Sequence, residues 1–254
     1  MVEIAICLAV VGFALVAIIG VLPRGMDVQR ANREETVINQ DASVLLEAIR
    51  DGHRAGTDLT NYVFAITVAS TPWTANGVPG ITTTNGYTYS SAFALNNNAR
   101  IIGLLSTPEF IYVTNVIFPA FPTNNLFSGG YSNRVYAYVH SLSGPAVEKP
   151  PQDNALLVGN SFSYCVLCVN SPVATDTNLF NLSAAQQAFS SQLGANLHEL
   201  RLTFFWPWRG DVPTDLSTLT RLTQRSMVAG SITWTNDNKQ MLYFYQPQLF
   251  NNAP

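Results

Sequence analysis

The chain has 254 residues, of which 47% are hydrophobic and only 11% charged, with a net charge of −3 and three cysteines. This composition excludes a disordered chain and leaves room for one sizeable domain beside an apolar segment. Lys and Arg are scattered along the sequence, so no basic face is offered to phosphates and no nucleic-acid partner is expected.

From Ile4 to Leu22 nineteen consecutive residues carry no charge. As a helix they span about 28 Å at roughly 1.5 Å per residue, close to the ~30 Å of bilayer hydrocarbon. A cleavable secretory signal needs a basic start, an apolar core of about 7 to 15 residues and a small-x-small site. The segment has none of these. It therefore reads as a retained transmembrane anchor, closed at Leu22-Pro23-Arg24-Gly25 by a charged, helix-unfriendly cluster. Glu3 at its edge is either an interfacial carboxylate near the positive end of the helix dipole, worth about 0.3 to 1 kcal/mol, or a functional acid. Gly12 and Gly20 permit close helix approach or are ordinary glycines of a span, and Cys7 is a small apolar residue within it.

Beyond Pro23, Val28, Ala31, Ile38, Ala42, Leu45 and Ile49 follow helical steps, with Arg30, Arg33, Glu34, Glu47 and Arg50 on the other side. Gly52 and Gly56 mark the stop, near Asp51 to Ala55. After residue 58 the period becomes two. Strands are expected at Asn61–Ala69, Glu109–Phe118, Arg134–Ser141, Ser161–Asn170, Glu199–Trp206, Met227–Thr235 and Met241–Gln246. A helix follows Asn181 or Ser183 through Gly194, Thr214 to Arg225 offers a further short one, and TPWTANGVPGITTTNGYTYSS reads as a long loop or hairpin. The expected fold is α+β: residues 1–23 a transmembrane helix, 24–55 its amphipathic continuation, and 56–254 an antiparallel β-rich head on which that helix packs.

Chemistry is sparse. Cys165 and Cys168 have CxxC spacing without a second pair or a nearby His, so no zinc site is expected. In a strand a separation of three sends the thiols to opposite faces, and a local disulfide between them requires a turn. The readings are a structural thiol pair, a local disulfide in an oxidising compartment, or redox chemistry. His53, His140 and His198 lie in no nucleophile or metal motif, and Asp211 and Asp215 flank a turn that suits a solvated loop better than calcium. Trp73, Trp206, Trp208 and Trp234 suggest a carbohydrate platform, although the strand positions of Trp206 and Trp234 place those two in the core. No cofactor, metal or catalytic residue is expected.

Val2-Glu3-Ile4, the apolar run and Leu22-Pro23 resemble the N-terminus of type IV pilins and of the pseudopilins of type II secretion. ELRLTFFWPW, TRLTQRSMVAGSI and MLYFYQPQ are similar to one pilin-like group, the Verru_Chthon cassette protein B family. The resemblance implies a non-enzymatic structural subunit. Such a subunit starts in the inner membrane with a periplasmic head, and then joins other pilin-like subunits in an extracellular filament or periplasmic pseudopilus. Glu3 would meet a neighbour's N-terminal ammonium, and Pro23 would end the assembly segment. The resemblance also implies a basic leader upstream of Met1, removed by a prepilin peptidase. The alternative is a single-pass, membrane-tethered periplasmic binding protein or enzyme.

Overall fold

A computed structural model describes residues 2–52, 58–74, 79–116, 127–143, 162–173, 183–208 and 216–250, without the side chains of 19–23, 74, 112–116, 127–129, 184, 187 and 191. The fold is α+β with an antiparallel sheet. The chain divides into two units, Met1–Gln40 and Asp41–Pro254.

Helix α1 spans Val2–Asp51. Within the first unit every described side chain from Val2 to Ile18 is exposed. Val28 and Ala31, expected on a buried stripe, are exposed as well, and burial begins at Ile38. Among the described residues no helix is long and apolar enough to cross a membrane. This corrects three expectations: the transmembrane helix, the inner-membrane location with its later extracellular or periplasmic fate, and the membrane as first partner.

In the second unit the end of α1 buries Asp41, Ala42, Leu45, Ala48 and Ile49, a stripe at steps of one, three, three and one. The strands are β1 (Val63–Thr74), β2 (Thr83–Thr88), β3 (Phe110–Val116), β4 (Phe127–His140), β5 (Ser163–Pro172), β6 (Leu197–Trp206), β7 (Thr220–Ala229), β8 (Ser231–Asp237) and β9 (Gln240–Gln246). The large sheet runs β2-β1-β4-β5-β6-β7, with β3 also on β4, and β8 and β9 form a separate ribbon. Helix α2 (Asn98–Leu105) packs on β9, β1 and β4, and helix α3 (Ala184–Asn196) on β5, β6 and β8.

The period-two pattern decides which sheet face is dry. Ile66, Val135, Ala137, Val139, Tyr164, Val166, Leu200, Leu202 and Phe204 are buried on the inner face. The sequence missed α2, whose start is fixed by Asn97 accepting from the Ala99 amide at 2.9 Å. Its Arg100 reaches across 137 residues to Asp237, with Nε–Oδ2 at 2.7 Å and the guanidinium over Phe93 at 4.6 Å. The expected cap of α3 is present at Ser183, which forms a capping box with Gln186.

The sequence reading takes Met227–Thr235 as one strand. The structure breaks it at Gly230, whose φ of +121° few side chains tolerate, so β7 ends and β8 turns away. Thr220 to Arg225, expected as part of a short helix, is strand β7, and a single 3₁₀ turn occupies Leu216–Thr218. The Thr-rich loop contains β2. Asn238 and Lys239, with φ of 49° and 68°, make the two-residue turn between β8 and β9.

Candidate functional site

The expected assembly surface lies in the first unit. Ten large apolar residues between Val2 and Ile18, among them Val2 at 73% and Phe13 at 79% exposure, leave no side of the helix polar. Glu3, Ile4, Cys7, Leu8 and Val11 share one face, so the Glu3 carboxylate sits on an apolar surface. Cys7 is an exposed free thiol. The side chain of Pro23 lies outside the described residues, as do His53, Asp211 and Asp215.

The second unit holds a polar centre that the sequence did not reveal. Asp41 is fully buried. Its Oδ2 accepts the Leu142 amide at 2.9 Å and the Tyr164 hydroxyl at 2.9 Å, and its Oδ1 accepts the Ser143 hydroxyl at 2.6 Å. Burial raises its pKa above the usual carboxylate value, and the hydrogen bonds from Ser143, Leu142 and Tyr164 oppose that rise. The carboxylate joins the end of α1 to residues 142–143 and to β5, which is a structural task. Asp41 lies three residues after Ile38 and four before Leu45, on the apolar side of the helix, which is the local sign of its burial, whereas its partners, 101 to 123 residues away, carry no local signal.

Cys165 and Cys168 lie on one uninterrupted strand, β5, as free, buried thiols. Cys165 faces Phe205 and Trp208 on one side of the sheet, and the odd separation puts Cys168 on the other. Burial pushes the Cys165 thiol up to about 12 and raises that of Cys168 further, so neither supplies a thiolate near neutrality. Alkylation of the native chain in detergent, without reductant, is expected to label Cys7 alone. Denaturation should then expose two further thiols by mass spectrometry, and a mass showing a Cys165–Cys168 disulfide would contradict this.

The two described histidines are on opposite sheet faces. His140 Nδ1 meets the Ser163 hydroxyl at 2.8 Å and the ring stacks on Phe64 at 4.6 Å, while His198 packs edge-on to Tyr245 at 5.7 Å. Burial lowers both pKa values, keeping the imidazoles neutral. Among the described residues no group of three or more His, Cys, Asp or Glu is placed to hold a metal. Trp206 and Trp208 are buried, whereas Trp234 is 60% exposed, against its expected place in the core. Trp73 is half-buried beside Gly130.

No family model, no curated protein and no solved structure matches the chain.

Proposed function

We propose that this chain is a structural, pilin-like subunit that assembles with copies of itself through its N-terminal helix. The observation that carries the reading is the exposed apolar surface from Val2 to Ile18. Ten large side chains, each worth about 1.5 to 3 kcal/mol when fully buried, gain on the order of 10 kcal/mol or more on being covered. That is of the size of the ~4 to 15 kcal/mol lost in freedom on association, so packing of helix on helix sustains a polymer. The likeness of the opening and C-terminal segments to type IV pilins and to the Verru_Chthon cassette protein B family supports the same reading. Within such a bundle Glu3 is the one acid on the apolar helix surface before Asp27, and a neighbour's ammonium is its natural counterion. Packing drives assembly and the charge pair sets its register.

The test is removal of detergent from the full chain, followed by sedimentation velocity and negative-stain microscopy. The unaltered chain is expected to form filaments. Phe13→Ser with Leu15→Ser should leave it monomeric with an unchanged circular dichroism spectrum of the head. Glu3→Ala should still associate but without regular subunit spacing. Regular filaments from Glu3→Ala would remove the register role, and filaments from the double serine variant would overturn assembly through the helix.

A further inference from the structure

The sequence scatters its basic residues, but the folded sheet collects them. On the face opposite Ile66, Val135 and Phe204, which also carries the buried Cys165, Phe205 and Trp208 cluster, β4 presents Arg134, β6 presents Arg201, and β7 presents Arg221 and Arg225. Arg201 pairs directly with Arg225 across β6 and β7, and with Val169 across β5. Val135 pairs with Cys168, which sets Arg134 one place along beside Val169. Arg134, Val169, Arg201 and Arg225 thus form one row across four strands, about 14 Å from end to end at ~4.8 Å per strand.

Two like charges placed directly opposite each other weaken a sheet. The only acid on this face among the described strand residues is Glu199, 3.7 Å from Arg225. A chain of net charge −3 therefore carries four arginines against one glutamate on a single sheet face. At the Arg134 end the row opens into a cleft of about 640 Å³ whose walls include Thr71, Trp73, Phe110, Ser132 and Tyr136. The Arg134 guanidinium, aromatic rings and short hydroxyls converge there.

We infer that the Arg134–Arg201–Arg225 row and the Trp73–Phe110 cleft bind a carboxylate-bearing polysaccharide. Planar guanidiniums match carboxylates in bidentate geometry. Aromatic rings give a sugar an apolar platform, and the hydroxyls of Thr71 and Ser132 give its hydroxyls partners. The row delivers repeated charge along a polymer, and the cleft seats one residue of it. A nucleic acid fits less well, because its affinity comes from neutralising many phosphates, about 6 to 10 in a strong binder, and the described strand residues of this face offer four arginines and no lysine. The inference stands apart from the assembly reading, since every residue in it belongs to the second unit.

The experiment titrates the full chain in neutral detergent with polygalacturonate, with its fully methyl-esterified form and with a single-stranded oligothymidylate. Polygalacturonate is expected to bind, to weaken with added salt, and to bind at least about tenfold more tightly than the ester, the worth of losing a hydrogen-bonded charge. Arg134→Gln with Arg201→Gln should weaken binding by at least about tenfold, and the surface change Phe110→Ala by a few-fold, with the melting temperature retained. Equal affinity for the ester, binding unaffected by the arginine changes, or tighter binding of oligothymidylate at the same ionic strength would each overturn the inference. If the double glutamine variant does not fold, the ester comparison and the oligothymidylate competition still decide.

Discussion

Asp41→Ala is expected to destabilise the second unit by about 3 to 5 kcal/mol, and Asp41→Asn by no more than about 1 kcal/mol. The alanine leaves three donors, the Leu142 amide and the Tyr164 and Ser143 hydroxyls, buried without an acceptor. Each such orphan costs about 1 to 3 kcal/mol before relaxation. Asparagine restores them, because its Oδ1 takes the two bonds now made to Oδ2, and its amide donates to a rotated Ser143 hydroxyl. The two variants also separate in pH dependence. Burial raises the folded pKa of Asp41 above its unfolded value of about 3.8. The stability this group contributes is therefore complete below pH 3.8 and lost as pH rises through the folded value. Urea denaturation at pH 4 and pH 7 should show the unaltered protein losing more stability over that interval than Asp41→Asn. Equal cost for Ala and Asn, or an unchanged pH slope in Asp41→Asn, would mean that the carboxylate does not join these elements.

Gly130→Ala should be of comparable severity, about 2 to 4 kcal/mol, despite adding a single methyl group. A Cβ at residue 130 would meet the Ile111 carbonyl oxygen and the Trp73 indole ring. Gly130 pairs with Trp73 on β1 and with Tyr112 on β3, so strands on both sides fix its backbone. The ring can escape only by leaving the sheet, and the carbonyl only by breaking the β3–β4 ladder. Tryptophan fluorescence should shift as the indole is displaced, and the melting temperature should fall by about 5 °C or more. A variant with unaltered emission and melting would show that the indole does not rest on this glycine.

Legibility in the sequence tracked how local the cause was. The Leu200, Leu202, Phe204 and Trp206 alternation announced β6, and the Ser183 cap announced α3, because neighbours a few residues apart decide both. Eight residues of α2 carry too few helical repeats to stand out, and TRLTQRSMVA alternates too weakly between polar and apolar to separate strand from helix. The exposed apolar opening and Glu3 were visible at once. The partners of Asp41 and the arginine row were not, because each depends on register between segments dozens of residues apart.

Among the described residues the six-strand path of the large sheet ends at β2 and at β7, and β3 pairs with β4 alone. On β7, Arg221, Thr223, Arg225 and Met227 are exposed at alternate positions. A second β7 brought alongside would set guanidinium against guanidinium, so this border repels its own image as edge strands of stable proteins do. Copies of the chain are thereby discouraged from fusing sheet to sheet into amyloid-like ribbons, and a crowded array of heads can remain a set of separate folded bodies.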